Sequence, residues 1–501
     1  MSTAGGVKDG VKQRMRRGLY RWARRAVLLS LAIVATLIVY RAVDSQRGPP
    51  LEPWHTFVPD DAHAAAIERM DWPGWMAAEG HVFDQVKSEV SDRLEEGDRT
   101  PDNRYFTASP VYPGHFAQDW NRSYVLMPDG PPRGAVVLLH GLTDSPYSLR
   151  HVARRYRALG FVAIAIRLPA HGTVPAALTD VVWEDWAAAT RLAVREARRL
   201  SGGNTPLHMV GFSNGGALAM QYALDAIEDP RLPRPDRLVL ISPMIGITAF
   251  ARFVGLAALP AILPAFAKAA WLGVVPEFNP FKYNSFPVNG AWQSHRLTQT
   301  LQQRIQQLGR SGRLSGLAPV LTFQSVMDFT VSTRAIITAL YMQLPPNGSE
   351  LVLFDRNSNS KVGALLRPAV DLALGRMLPS PPLSFRLTVI ANADSGSDEV
   401  VERIIEPGSS AERTRALDQS YPRNVFSLSH VALPFPVTDN LYGADPDLSE
   451  DFGVHLGALA ARGEVGVLLI SPATLMRISW NPFFPYVMRR IEENIPSSTT
   501  Q

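Results

Sequence analysis

Short apolar runs alternate with helical patterns across residues 121–245, which predicts an α/β protein with a mainly parallel sheet and helices on both faces. Two stretches carry most of that expectation. Ala135–Leu139 (AVVLL) is continuously apolar, as a strand buried on both faces must be. A second apolar run, Leu207–Val210, leads into Gly211-Phe212-Ser213-Asn214-Gly215, and the helical pattern of Ala217–Leu224 follows. That order reads as strand, sharp turn, helix. The turn strains the backbone at Ser213, Gly211 and Gly215 let strand and helix pass closely, and the serine oxygen is presented at the tip of the sheet.

The chain has 501 residues, 46 % apolar and 19 % charged, enough for one large α/β domain with insertions or for two domains. It contains no cysteine, which excludes disulfides, cysteine-based metal sites and a thiol nucleophile. Its 40 prolines predict many turns and long ordered loops. The net charge of +4 is unevenly spread. Residues 1–25 hold eight Lys/Arg and a single acid, Asp9, which leaves the remainder at −3. The basic character therefore belongs to a tail, and no nucleic-acid surface is expected on the body.

Ala26–Tyr40 is uncharged and strongly apolar, flanked by Trp22, Arg24, Arg25 and Arg41. Its 15 residues are shorter than the roughly 20 usual for a span, but the flanking arginines can snorkel. Two readings stand. The favoured one is an uncleaved signal anchor over 26–43, single-pass in a bacterial-type inner membrane, with the basic tail 1–25 cytoplasmic and the body outside. The other is a cleaved signal peptide and a secreted body.

Residues 44–120 read as a linker, Ser45–Pro59, and a helical extension. Asp60–Arg93 has helical spacing, which Pro73-Gly74 is expected to interrupt, and Asp98–His115 has turn chemistry. Strands are expected at Asn121–Pro128, Ala135–Leu139, Phe161–Ile166, Leu207–Phe212 and Arg237–Ile241, with helices at Tyr147–Leu159 and Trp183–Leu200. Ala135–Leu139 ends in His140-Gly141-Leu142. Gly141 lets this loop approach a reacting carbonyl, so the backbone N–H of Leu142 can join that of Asn214 as an oxyanion hole.

The segments AVVLLHGLTDSPYSLR, IAIRLPAHGT, WEDW, GFSNGG and LVLISP, in this order, resemble serine hydrolases of the α/β-hydrolase fold, in particular bacterial carboxylesterases and monoacylglycerol lipases. The resemblance covers residues 121–245 and returns in short pieces near 283–287, 320–333 and 424–433. It implies a hydrolase core in two halves, 121–245 and 319–501, separated by a cap at 246–318. Phe250–Val275 is apolar and helical in spacing but is broken by Pro260 and Pro264. The alternatives to a cap there are a second membrane span and a lid that dips into the interface.

The resemblance also implies the remaining catalytic residues. Strand Val320–Ser325 ends in Val326-Met327-Asp328-Phe329-Thr330-Val331, which matches the family's acid turn at Asp328 and Val331, with Ser325 where a glycine is usual. An apolar alternation, Val425–Ser429, reads as a strand ending in Ser429-His430-Val431, similar to the catalytic-histidine loop. Ser213, Asp328 and His430 then follow the chain order of the fold. His140 and His171 read as structural. From Asp328 to His430 the separation is far longer than one helix and strand require. Within it, a helix over Thr333–Met342, a strand at Leu351–Phe354, a further helix after Arg356, a strand at Phe385–Ile390 and a charged helix around Asp398–Leu417 are expected. Residues 356–423 form an insertion or extra sheet edge without a recognisable motif. Val454–Leu459 reads as a helix, Val465–Ile470 as a strand and Asn481–Glu493 as a closing helix.

The expected function is cleavage of carboxylic esters through an acyl-enzyme on Ser213, with no cofactor and no metal. An apolar cap beside a membrane anchor implies acylglycerol or other acyl-lipid substrates, and no protein partner is indicated. An acyltransferase using the same three residues is one alternative. A membrane-tethered scaffold without chemistry is the other. No Gly-x-Gly-x-x-G or P-loop follows a strand, so a nucleotide-binding enzyme is disfavoured.

Overall fold

The computed structural model describes residues 5–246, 259–361, 377–378, 380–458, 476–493 and 495. Among these residues the centre is a ten-stranded sheet. In chain order the strands are β1 (Tyr124–Leu126), β2 (Gly134–Leu139), β3 (Phe161–Ala165), β4 (Leu207–Phe212), β5 (Arg237–Ile241), β6 (Trp271–Gly273), β7 (Phe286–Pro287), β8 (Val320–Ser325), β9 (Glu350–Phe354), β10 (Arg386–Asn392), β11 (Glu399–Ile405) and β12 (Glu412–Ser420). Strands β6 and β7 form a separate two-stranded ribbon. The large sheet runs β1-β3-β2-β4-β5-β8-β9-β10-β11-β12. From β3 to β10 every pairing is parallel, and β1, β11 and β12 add antiparallel edges.

The pleat sends alternate residues of each strand to opposite faces, and each face has its own core. Ala135, Val137 and Leu139 of β2 join one core with residues of helices Trp183–Ser201, Asn214–Glu228 and Val288–Arg310. Val136 and Leu138 join the other with Val152 and Tyr156 of helix Arg150–Ala158 and Val487 of helix Phe484–Glu492. The continuous apolar reading of β2 is thus explained by burial on both sides.

The segment before β1 is more tightly integrated than a linker. Helix Pro53–Thr56 buries Trp54 and His55, and helix Trp72–Glu89 buries Trp75, Val82 and Val86. Pro73-Gly74 starts that helix instead of interrupting it. Proline needs no N–H partner in a first turn, and Asp71 caps the Gly74 N–H at 2.8 Å. Buried charges hold the extension to the body. Arg167, after β3, pairs with both oxygens of Asp61 at 2.6 and 2.9 Å and with Glu79 at 3.1 Å. Burial alone would raise the Asp61 carboxyl, but the Arg167 guanidinium and two backbone N–H groups outweigh it and hold it low.

Helix Gly5–Ser45 precedes all of this. Within its stretch Leu19–Ser45 an 18-residue window has a mean hydropathy of 2.3 and is 6 % buried, and this is the one helix among the described residues long and apolar enough to cross a membrane.

Several expectations are corrected between residues 246 and 458. The charged segment around Asp398–Leu417 is the hairpin β11–β12, not a helix. Val400 and Val401 of β11 are buried, while β12 is an exposed, charge-rich edge. Residues 425–429 form no strand; they turn along the end of the sheet. Leu456–Ala458 is a single 3-10 turn. In the expected cap segment, Leu259–Ile262 and Pro264–Ala270 are 3-10 turns, as the spacing of Pro260 and Pro264 favours over a continuous helix. The expected cap stretch 250–258, residues 362–376 of the segment after Arg356 in which a further helix is expected, and the strand Val465–Ile470 lie outside the described residues.

Candidate active site

The Ser213 backbone sits at φ +54° and ψ −115°, a conformation that residues with a side chain rarely adopt. The surroundings over-determine it. Ser213 N–H donates to Ile241 O at 3.0 Å, while its carbonyl accepts from Gly216 at 3.0 Å and Met244 at 2.9 Å. The two elbow glycines have a steric cause. A Cβ on Gly211 would lie 2.3 Å from Gly215 O, and one on Gly215 would lie 1.9 Å from Leu139 O. Strand β4 and helix Asn214–Glu228 pass too closely for any side chain there.

The loop His140-Gly141-Leu142 folds over this elbow. A Cβ on Gly141 would meet Ser213 Cβ at 3.3 Å. His140 sets the orientation of the next peptide. Its ring lies 2.9 Å (Nδ1) from Gly141 O, and its Nε2 accepts the Leu168 N–H at 3.0 Å, which assigns the proton to Nδ1. Burial and the neighbouring His171 keep this imidazole neutral, well below its ordinary range. Because a trans peptide directs C=O and N–H oppositely, holding Gly141 O turns the Leu142 N–H away from His140. No hydrogen bond occupies the Leu142 N–H among the described residues. Asn214 opens its helix, so its N–H has no partner within the helix. Its side-chain oxygen accepts from Ser294 of the Val288–Arg310 helix at 3.2 Å.

Asp328 follows β8 in a tight turn. Its Oδ1 accepts the N–H groups of Thr330 at 2.8 Å and Val331 at 3.0 Å, and its Oδ2 lies 2.9 Å from His430 Nδ1. Burial would raise this carboxyl. The charge and hydrogen bond of His430, with the two backbone N–H groups, outweigh that and hold it below the usual carboxylate range. The His430 ring stacks on Phe212, the residue before Ser213, with centroids 5.3 Å apart. Ser213 Oγ makes no hydrogen bond among the described residues. The structure therefore joins Asp328 to His430 and sets that pair beside the elbow.

Asn357, just past β9, explains how His430 returns across so long an insertion, and nothing in the local sequence marks it. Its buried side chain donates to Pro422 O at 3.1 Å and Val425 O at 2.8 Å, and its N–H donates to Phe426 O at 2.9 Å. Lys361 N–H adds a bond to Arg423 O at 3.1 Å. The insertion is closed at its neck, so the chain re-enters at 424 almost where β9 left it. Ser325 Oγ then donates to Leu428 O at 2.8 Å, tying the loop to β8. A second buried cluster seats the chain after His430. Asp439 receives Arg150 Nη1 at 2.6 Å and Tyr147 Oη at 2.9 Å, and lies 2.9 Å from His151 Nε2.

A groove of about 660 Å³ opens against His430, with Met327, Phe329, Phe426, Leu428, Met476 and Trp480 among its walls. It is mainly apolar and lies on the histidine side of the elbow.

Residues 130–357 match the family described as Hydrolase_4: Serine aminopeptidase, S33. A thermostable monoacylglycerol lipase of Bacillus sp. (strain H-257) is 23 % identical over 239 residues, 48 % of this chain and 82 % of that protein. Among solved structures, a soluble variant of monoglyceride lipase from Saccharomyces cerevisiae is 14 % identical, covering 46 % of this chain and 82 % of its own, with a TM-score of 0.36. Est1E from Butyrivibrio proteoclasticus, with ferulic acid bound, is 18 % identical over 51 % of this chain and 92 % of its own, with a TM-score of 0.35. The chain has the α/β-hydrolase fold and resembles the serine hydrolases of that fold, bacterial carboxylesterases and monoacylglycerol lipases among them.

Proposed function

We propose that the protein is a membrane-anchored serine hydrolase that cleaves carboxylic esters through an acyl-enzyme on Ser213. The observation that carries the reading is the Asp328–His430 pair, 2.9 Å apart, beside a serine held at positive φ on a strand-to-helix elbow. The family match over residues 130–357 and the likeness to a monoacylglycerol lipase support the same class of chemistry.

Ser213 Oγ attacks the ester carbonyl while His430 Nε2 takes its proton. Asp328 holds the imidazole with Nδ1 protonated and stabilises the imidazolium. The N–H groups of Leu142 and Asn214 receive the oxyanion. His430 returns the proton to the leaving alcohol, then activates the water that releases the acid. The hydrogen bond between Ser213 Oγ and His430 Nε2 forms when substrate enters, as catalytic contacts do.

The anchor lies in the Leu19–Ser45 helix, whose exposed part up to Tyr40 is about 33 Å long at 1.5 Å per residue, enough for a hydrocarbon core of about 30 Å. The basic residues before it stay cytoplasmic, and the body lies across the membrane. Acylglycerols and related acyl lipids are the substrate class favoured by the apolar groove beside His430.

The test is labelling by a fluorophosphonate probe together with hydrolysis of an ester panel graded by acyl length. The wild-type chain labels and turns over esters, and Ser213→Ala does neither. Undiminished labelling of Ser213→Ala would reject the mechanism.

A further inference from the structure

We propose that the last turns of the Leu19–Ser45 helix are a working part of the cap, holding it at the bilayer surface so that the ester reaching Ser213 is an acyl lipid of the membrane in which the protein is anchored. This deepens the ester-hydrolase reading and rests on it and on the anchor.

The anchor and the cap touch through three separate polar contacts. Arg41 Nη2 donates to the carbonyl of Trp271 in β6. Gln46 Nε2 donates to Ala265 O at 2.9 Å, and Lys268 Nζ donates to Gly48 O at 3.3 Å. Burial changes at the same level of the helix. Leu37, Val39 and Tyr40 are exposed, whereas Ala42 and Ser45, three residues apart on one helical face, are buried. From Leu19 to Tyr40 the helix is exposed apart from the half-buried Ile38, and from Arg41 one face of it is covered by the protein while Val43 on the other face stays exposed. Arg41, which grips β6, immediately follows the apolar stretch and so stands at the membrane boundary.

The cap residues beside these contacts are apolar and open. Leu263 is 59 % exposed, two residues from the carbonyl that Gln46 grips, and Leu272 is 43 % exposed, next to the carbonyl that Arg41 grips. Held at the edge of a bilayer by the anchor itself, both side chains have a lipid surface to cover them, and Arg41 and Lys268 stand at headgroup level.

The same element leads to the elbow. Strand β6 pairs with β7, and His55 braces the ribbon, its ring edge-on to Trp271 at 4.9 Å and its Nε2 2.9 Å from Ser285 Oγ. Strand β7 runs directly into helix Val288–Arg310, whose Ser294 binds the Asn214 side chain. The path from Arg41 to the residue after Ser213 is an unbroken series of packed, bonded elements. A cap built this way opens toward the bilayer that carries it.

The experiment uses the full-length protein in lipid vesicles, with a long-chain monoacylglycerol either in the same vesicles or in separate ones, and a short water-soluble ester as control. Turnover is expected at least tenfold faster when lipid ester and protein share a vesicle. The double variant Leu263→Asp/Leu272→Asp is expected to lose at least tenfold on the vesicle ester while keeping wild-type turnover of the soluble ester. Equal wild-type rates from shared and separate vesicles overturn the proposal, as does an unchanged vesicle rate in the double variant. If the double variant also loses the soluble ester, the cap is damaged generally and the wild-type vesicle comparison decides. The contact itself is tested by Gln46→Cys/Ala265→Cys, which places the only two thiols in a cysteine-free chain. A short bifunctional maleimide is expected to join them within one chain; two thiols that each take a monofunctional maleimide but never join overturn the proposal. Failure of the wild-type chain to hydrolyse either ester or to label at Ser213 removes the underlying ester-hydrolase reading instead.

Discussion

His430 Nδ1 lies 2.9 Å from Asp328 Oδ2 although 102 residues separate them in the chain. The same carboxylate takes two backbone N–H groups on its other oxygen, so it is held in one orientation before the histidine arrives. Under the proposed mechanism, Asp328→Asn keeps the shape of the turn but offers an amide where the imidazole N–H needs an acceptor. The expected loss in kcat is about 10³- to 10⁴-fold, with KM changed far less. Steady-state kinetics on a soluble ester measure it, and a loss below tenfold would remove Asp328 from the role of triad acid.

Asn357→Ala is expected to affect catalysis from outside the site. It leaves the carbonyls of Pro422 and Val425 without their donor at the neck of the insertion. The cost is about 1–3 kcal/mol for each carbonyl that stays buried and unpaired. The loop bearing His430 loosens with it, so kcat falls along with Tm. Thermal unfolding and kinetics together check this; a full wild-type kcat at the lowered Tm would separate the neck from the placement of His430.

Buried carboxylates set an acid limit to stability. Asp439 and Asp328 are both held below the ordinary carboxylate range, Asp439 by Arg150 and His151 against the effect of burial. A group with a depressed folded pKa contributes stability that is fully present above its unfolded value of about 3.9, and this is lost as pH falls through the folded value. Unfolding free energy is therefore expected to fall steadily below about pH 4. Asp439→Asn strands the fully buried Arg150 and is expected to cost about 3–5 kcal/mol at pH 7, read by denaturant titration. The acid-side slope of the variant should be shallower than that of wild type.

Gly215→Ala is a steric test of the elbow. The added Cβ would stand 1.9 Å from Leu139 O, a backbone atom in the central strand that cannot swing aside. Loss of soluble protein, or a variant unfolded at 25 °C by circular dichroism, is the expected result. Gly202→Ala, also glycine by sequence but with nothing within 4 Å of its Cβ position, is the control and is expected to fold, its cost limited to its φ of +84°.

The core strands and the elbow were legible in the sequence because each rests on local pattern, whereas Asp328 and His430 were expected from resemblance and the strand expected before His430 is absent. Two-sided burial gives continuous apolar runs, and close passage of strand and helix demands glycine at fixed offsets. The hairpin β11–β12 was not legible. Its outer strand, Glu412–Ser420, is exposed at a sheet edge, where no buried face imposes an alternation and charges guard the edge. Tertiary structure alone decided that the chain between β9 and His430 closes on Asn357, and that the end of helix Gly5–Ser45 and the residues just after it meet Trp271, Ala265 and Lys268. Such contacts join residues tens to hundreds of positions apart through single hydrogen bonds to backbone atoms, which every residue carries. They leave no periodicity or composition to read until the fold brings the partners together.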